Sequence, residues 1–475
     1  MHTAKKLLSG SAVIRFFAAI ARFFSAQWSR SAIITRFAYP KARGSSGLLA
    51  GAPAAARRGL VRLFAVLRLD KLLRNSIFAN PVWLFAAALA AAPLVPTTAA
   101  AALAAAVAVC AVLKLGARRD FAAEGSRVTK WVLLYVFVSL AGTALSVDFA
   151  ASLYPGAMYA FFALLAVITP QVVTTRRGFR TAAAALVFGG VLVSGIGLMQ
   201  YVLRDSLTFN WFDEVLFAGI RRVYSTLGNP NVLAEYLLLV IPFAGAGIVA
   251  ARDDLRRLFY AGALAVLVLC LVLTFSRGGY IGLAAAALVF LVMLDRRFII
   301  VAVLGILLLP FVLPDTVVNR FTSIGDLKDG STSYRLSIWL ATLTMLRDYW
   351  FVGVGPGTAA FNKIYPKYAY DASIAQHSHN LFLQLVCDAG ILALFAFLAV
   401  VISAVRACAA GLARAGDRFS RAYRIAAVSA IAGFLVQSMT DYSFYNYRVT
   451  LVFWAVVGLT AAAARGSFDM ETEEL

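Results

Sequence analysis

Apolar residues in this chain run in long blocks separated by short polar links. About twelve blocks reach the roughly 20 residues that a helix needs to cross a bilayer. They lie at 77–95, 98–116, 129–147, 153–173, 181–203, 231–250, 258–275, 279–294, 298–313, 380–405, 423–441 and 450–464. The pattern predicts an all-α integral membrane protein with about 12 transmembrane helices. One large polar loop, 314–379, separates the ninth span from the tenth, and a smaller one, 204–230, separates the fifth from the sixth. Inside the large loop, Ser331 to Tyr349 reads as a helix that puts Arg335 and Trp339 one turn apart on one face, placed to lie over the membrane as a lid.

Composition agrees with the pattern. Of 475 residues, 61% are hydrophobic and 14% charged, and the mean hydropathy is +0.81, outside the range of soluble domains. Charge then orients the spans. With the amino terminus inside, the links 114–130, 175–180, 251–257, 295–297 and 406–424 hold 18 of the 44 Lys and Arg, so positive residues mark them as cytoplasmic. An even number of spans returns the acidic tail, 466–475, to the same side, and both large loops are then periplasmic. The net charge of +21 does not point to nucleic acid, because 14 of the basic residues lie before residue 75, where Asp70 is the one acidic residue. Residues 1–74 read as a basic arm facing anionic lipid. Within it, Ala12 to Phe37 alternates Phe and Ile with Arg15, Arg22 and Arg30 as an interfacial helix does, and those arginines make it a poor cleaved leader. Residues 75–465 read as one membrane domain. Cys110, Cys270, Cys387 and Cys408 fall in spans or on the cytoplasmic side, which implies no disulfide framework.

Candidate chemistry gathers where spans begin on the periplasmic side. Arg221 and Arg222 precede Asn229, Pro230 and Asn231, with Asn229 suited to cap a helix and Pro230 to its first position. Ser276, Arg277 and Gly278 open the eighth span, and Ser378, His379 and Asn380 open the tenth. Three helix N-termini beside arginines make a site for an anion, and a diphosphate suits it. His377 and His379 are two of only three histidines, and a base with pKa near neutrality could take a proton from an acceptor hydroxyl. Each feature also has a plainer reading: loop histidines are often solvated, and Arg277 could be an interface residue reaching for water. The H-x-H pair has only Asp371 as a nearby carboxylate, so no metal is expected. The run Gly353 to Gly357 lacks the Lys-Ser/Thr ending of a phosphate loop and reads as a turn. Tyr349 to Phe351 reads as part of an aromatic belt.

These residues resemble the bacterial O-antigen ligase family, within the superfamily that also holds O-antigen polymerases and protein O-oligosaccharyltransferases. His379-Asn380, followed after nine residues by Gly390, is similar to the family's H-N-x9-G. The stretch from Arg222 to Asn231 is similar to its R-x-x-G-T-F-x-N-P-N, with Ser225 in place of the usual Gly and Leu227 in place of the aromatic. Ser276-Arg277-Gly278 looks like its S-R-G/A turn, and Arg335 to Trp339 like its R-x-x-x-W loop helix. Asp388 stands where relatives often carry Glu, and Ala393 replaces a second Gly. The resemblance implies a GT-C-like glycosyltransferase of the inner membrane with a periplasmic site. The donor would be O antigen on undecaprenyl diphosphate and the acceptor a hydroxyl of lipid A core oligosaccharide. Transfer would be inverting, without metal or other cofactor, with no nucleic-acid partner. On this reading His379 is the essential base, and Arg222 and Arg277, with Arg221 and Arg335, hold the diphosphate. His377, Asn380 and Asn231 support them. A polymerase or protein glycosylase of the same superfamily shares these motifs. A lipid-linked glycan transporter is the alternative from another class, opposed by the gathering of ionisable groups on one face and the absence of repeated broken helices.

Overall fold

A computed structural model describes residues 61–68, 80–117, 127–203, 222–300, 330–370, 375–412 and 415–465, with 59 and 468. The amphipathic segment 12–37, the acidic tail apart from Phe468, Arg221, Asp371 and residues 301–313 of the span expected at 298–313 lie outside the described residues. Every regular element among those described is helical. They are α1 Val82–Ala91, α2 Thr97–Ala117, α3 Arg127–Ala144, α4 Phe149–Val172, α5 Arg176–Leu203, α6 Pro230–Ala250, α7 Asp254–Val272, α8 Arg277–Leu294, α9 Gly330–Tyr349, α10 Thr358–Ile364, α11 Leu381–Leu412, α12 Arg418–Gln437 and α13 Tyr447–Ala463. Eight of them are long and apolar enough to cross a membrane, namely α2, α4 to α8, α11 and α12, and α1, α3 and α13 are shorter apolar helices. Eleven of the twelve expected spans therefore coincide with helices, as in a multi-pass membrane protein. The loop helix expected from Ser331 is α9.

The bundle centres on α6, α12 and α13, which are buried nearly throughout. Aromatic rings from several helices meet there: Phe434 of α12 stacks on Phe453 of α13 at 4.7 Å, and Trp454 lies 5.2 Å from Tyr135 of α3. Small residues permit the close approaches. A Cβ at Gly282 of α8 would lie 2.8 Å from the Gly433 carbonyl of α12, and one at Gly433 would lie 2.8 Å from Ala286 Cβ.

The two ends of the bundle differ in their polar chemistry. At one end, cations cover the free carbonyls that close helices. Lys114 donates to Gln171 O and Val172 O at the end of α4, and Arg421 to Leu294 O at the end of α8. The fully buried Arg424 donates to Gly411 O and Ala463 O, at the ends of α11 and α13. Helix C-termini carry partial negative charge, so these cations satisfy both hydrogen bonding and the dipole. At the opposite end, helices begin. Asn229 caps α6, Ser276 caps α8 and Asn446 caps α13, each side chain accepting a backbone N–H in the first turn.

One expected span is not continuous. Helix α11 breaks at Ala389 (φ −153°) and Gly390 (φ 75°). The loop that follows α9 fills the break: Val354 N donates to Cys387 O at 2.6 Å, and Ile391 N to Trp350 O at 2.8 Å. Backbone groups freed inside a membrane must find partners in protein. A Cβ on Gly390 would stand 1.8 Å from Phe351 O, and one on Gly353 2.4 Å from Cys387 O, so only glycine fits either position. The Gly353 to Gly357 run is thus a turn, as read, but one inserted into a broken helix. Helix α9 rests on the same place: Ile338, Ala341 and Met345 share a face and pack with Val354, Phe361, Val386 and Cys387 in a small second core.

Candidate functional site

The starts of α6, α8 and α11 meet at the end of the bundle opposite the buried cations, and the segment joining α12 to α13 lies among them. Non-glycine residues with positive φ are rare and mark local strain. Among the described residues there are four, and three of them sit in these turns: Ser225 (φ 51°), Phe275 (φ 49°) and His379 (φ 48°). Ser225 occupies the position where the resembling motif has Gly, the residue that takes this conformation without strain.

At the α6 start, Asn229 accepts from Asn231 N at 2.8 Å and Pro230 is the first helical residue, as the sequence implied. The Asn231 side chain faces two partners: its oxygen accepts from Arg222 Nη2 at 2.9 Å, and its nitrogen donates to Asp441 Oδ2 at 3.0 Å. Arg222 Nε is anchored on Thr274 O at 2.9 Å, in the turn that leads into α8. In that turn Ser276 accepts from Gly279 N, and Arg277 Nη1 reaches across to Thr332 Oγ1 of α9 at 3.3 Å. One helical turn along α9, Arg335 Nη2 lies 3.9 Å from Asp441 Oδ2. Next on the same face, Trp339 Nε1 donates to His379 O at 3.3 Å, and the Tyr334 ring meets His379 edge-on. Helix α9 thus touches His379 and carries one of the arginines.

His379 is the centre of this arrangement. Its Nδ1 lies 3.2 Å from Asp441 Oδ1, and its own backbone N–H donates to His377 Nδ1 at 3.2 Å. Asn380 caps α11, accepting from Phe382 N and Leu383 N, and donates to Met439 O at 2.8 Å. Asp441 also accepts from Tyr442 N. Burial alone would raise the Asp441 carboxyl, but the hydrogen bond with His379 and the Arg335 charge outweigh it and hold the group well below the usual carboxylate range. Asp441 is therefore an anion. His377 is lowered to about 4, first by burial and then by the charges of His379 and Arg335, with Asp441 pulling the other way. A neutral His377 is the form its accepting Nδ1 requires.

His379, Asn231, Asn380, His377, Arg222, Arg277 and Arg335 are thus brought together, while Arg221 lies outside the described residues. Asp441 was missed. It falls at the last residue of the span read as 423–441, whereas α12 begins earlier, at Arg418 with Asp417 as its cap, and ends at Gln437. The turn after it frees Asp441 to face His379. The polar run from Gln437 to Asp441 at a membrane boundary was the signal available.

Among the described residues, the atoms of His377, His379 and Asp441 lie within 4.8 Å of one another, close enough to be considered as metal ligands. The surroundings suit a metal poorly. His377 Nδ1 is occupied by a backbone N–H, and the Arg335 guanidinium stands beside the one carboxylate. With Arg222, Arg277 and Arg335 around Asp441 and several helix N-termini facing the same place, the site favours an anionic ligand carrying a hydroxyl or leaving group within reach of His379.

The family model described as O-antigen ligase matches residues 262–398, from α7 through α8 and α9 into α11 beyond its break. No curated protein matches the chain. The matched stretch holds Arg277, Arg335, His379 and Gly390, and Arg222, Asn231 and Asp441 join it through the contacts described above. Across these residues the chain is similar to the O-antigen ligase family.

Proposed function

We propose that this protein is a glycosyltransferase that moves a polysaccharide from undecaprenyl diphosphate to a hydroxyl of lipid A core oligosaccharide, at the periplasmic face of the inner membrane. The observation that carries the proposal is the pairing of His379 with Asp441 among arginines and helix starts. The match to the O-antigen ligase family model supports the class of reaction. The side of the membrane rests on charge, since the opposite end holds Lys114, Arg421 and Arg424 over helix C-termini and positive residues stay preferentially in the cytoplasm.

The chemistry follows from the hydrogen bonds. An ionised Asp441 only accepts, so His379 presents Nδ1–H to it and Nε2 becomes the basic nitrogen. Nε2 takes the proton of the acceptor hydroxyl as its oxygen bonds to the anomeric carbon. The bond from that carbon to the diphosphate oxygen breaks on the opposite face, so configuration inverts. Asp441 stabilises the imidazolium, as the carboxylate of a catalytic triad does. The departing diphosphate carries its own negative charge, and Arg277 and Arg335, with Arg222 behind them, stabilise that charge as it develops. Such a leaving group needs no acid and no metal.

Purified protein in detergent, supplied with the lipid-linked polysaccharide, lipid A core and EDTA, tests the proposal. Glycan-bearing lipid A is expected from the wild type and not from a folded His379→Ala variant. Elongated undecaprenyl-linked chains with untouched lipid A core would make the protein a polymerase instead, and near-normal activity of His379→Ala would remove the histidine from the mechanism.

A further inference from the structure

Beneath the His379–Asp441 pair lies a buried polar network that the proposed mechanism does not use. Asp388, 5% exposed, sits in α11 directly before the break. Its Oδ1 accepts from Gln384 Nε2 at 2.9 Å, and the other end of that amide, Oε1, accepts from Ser378 N at 2.8 Å. Ser378 is the middle residue of the His377-Ser378-His379 turn. The other Asp388 oxygen, Oδ2, accepts from the Tyr442 hydroxyl at 3.1 Å, and Tyr442 follows Asp441 in the chain. The hydroxyls of Tyr442 and Tyr159 lie 2.7 Å apart, so Tyr159 of α4 donates to Tyr442 when Tyr442 donates to Asp388.

We propose that Asp388 is a positioning residue for transfer, a single buried carboxylate whose two oxygens set the distance between His379 and Asp441. One oxygen holds the histidine turn through Gln384, and the other holds the aspartate segment through Tyr442. Three features argue for this over a general role in packing. Each oxygen of Asp388 reaches a different half of the site, Oδ1 the histidine turn and Oδ2 the aspartate segment, with Tyr159 buttressing the second arm. Gln384 can serve only one way round, because its oxygen is required by Ser378 N and its nitrogen by Asp388. His379 is held at φ 48°, a conformation that relaxes without support from its neighbours. Asp388 touches no reacting atom, and its effect passes through the other residues.

The inference rests on the reading of His379 as the base, and the test separates the two. Steady-state transfer is measured for Gln384→Met and Tyr442→Phe, each cutting one arm, for Asp388→Leu, cutting both, and for His379→Ala. Elution as a single species and a thermal midpoint report folding. Displacements of about 1 Å cost roughly 100-fold in rate when groups must be aligned. Asp388→Leu is therefore expected to lose on the order of 100-fold in kcat, and each single-arm variant about 10-fold. Donor KM should stay within about twofold of wild type, because the arginines that bind the diphosphate are untouched. Adding Tyr442→Phe to Asp388→Leu should cost little more, since both cut the same arm. If Asp388→Leu does not fold, the single-arm variants decide. Unchanged kcat in a folded variant of either arm, or a rise in KM at constant kcat, overturns the inference while an inactive His379→Ala leaves the site reading intact. Activity in His379→Ala overturns the reading beneath it.

Discussion

Replacing Asp441 by Asn removes one charge and no volume, and the structure says why that should be costly. The hydrogen bonds around Asp441 have a fixed direction. Arg222 donates to the Asn231 oxygen, the Asn231 nitrogen donates to Asp441 Oδ2, and Tyr442 N donates to Asp441 Oδ1, which also faces His379 Nδ1. An amide at 441 must turn its nitrogen toward one side. Toward Asn231 it meets a donor, and Asn231 cannot flip without turning its own nitrogen on Arg222. Toward His379 it meets Tyr442 N–H and Nδ1–H, and the imidazole escapes only by moving its proton to Nε2, the atom required as base. Leaving a buried group unsatisfied costs about 1–3 kcal/mol of stability. Holding a histidine in the wrong tautomer costs on the order of 10⁴ in kcat where a triad aspartate has been changed this way. Asp441→Asn should therefore fold and insert, bind the donor with KM within a few-fold, and lose about 10³ to 10⁴ in single-turnover rate. Measured at saturating donor, a rate within about threefold of wild type in folded protein would refute the argument, since it would mean that neither direction nor charge at 441 matters.

Two further outcomes follow from features away from that pair. Gly390→Ala should lower stability by about 3–5 kcal/mol, from strain at its positive φ and from loss of the two backbone hydrogen bonds to the inserted loop. An unchanged thermal midpoint in detergent would show that the break is not as tightly filled as described. His377 has its folded-state pKa lowered to about 4, so between there and its ordinary 6.5 the unfolded chain binds the extra proton. Stability should rise with pH across that window, with its contribution full above 6.5 and lost as pH falls toward 4. His377→Asn, which keeps an acceptor for His379 N, should flatten the dependence of the midpoint on pH between 4.5 and 6.5, and an unaltered slope would count against a neutral buried His377.

Much of this molecule is legible in one dimension. Apolar blocks of spanning length located eleven helices, because in lipid the backbone must satisfy itself locally and hydropathy averages well over a helix. Caps are local too, so Asn229 with Pro230, Ser276 and Asn380 are visible from residue type and position alone. Asp441 was not visible because a window that averages over a whole span absorbs one carboxylate at its edge. Its role depends on Asn231, Arg335 and His379, which approach it from three distant parts of the chain. The break in α11 was hidden for a related reason. Gly390 stood out as part of a motif, but its positive φ has meaning only against Phe351, and nothing in the run Gly353 to Gly357 announces that its backbone completes another helix. The direction of the Asp388 network is equally a property of the folded state.

The filled break in α11 also limits how such a protein can change. Trp350 and Val354 supply partners that α11 cannot find within itself, so this part of the large loop is a wall of the membrane domain rather than an attachment to it. A loop of different length at 350–354 would leave a hole in the bundle, and grafting the segment onto a relative would require α11 to be grafted with it. Changes in what the site accepts are then tolerated best at side chains and at parts of the loop that do not touch the break, while the joint and the histidine turn that opens α11 form one structural unit.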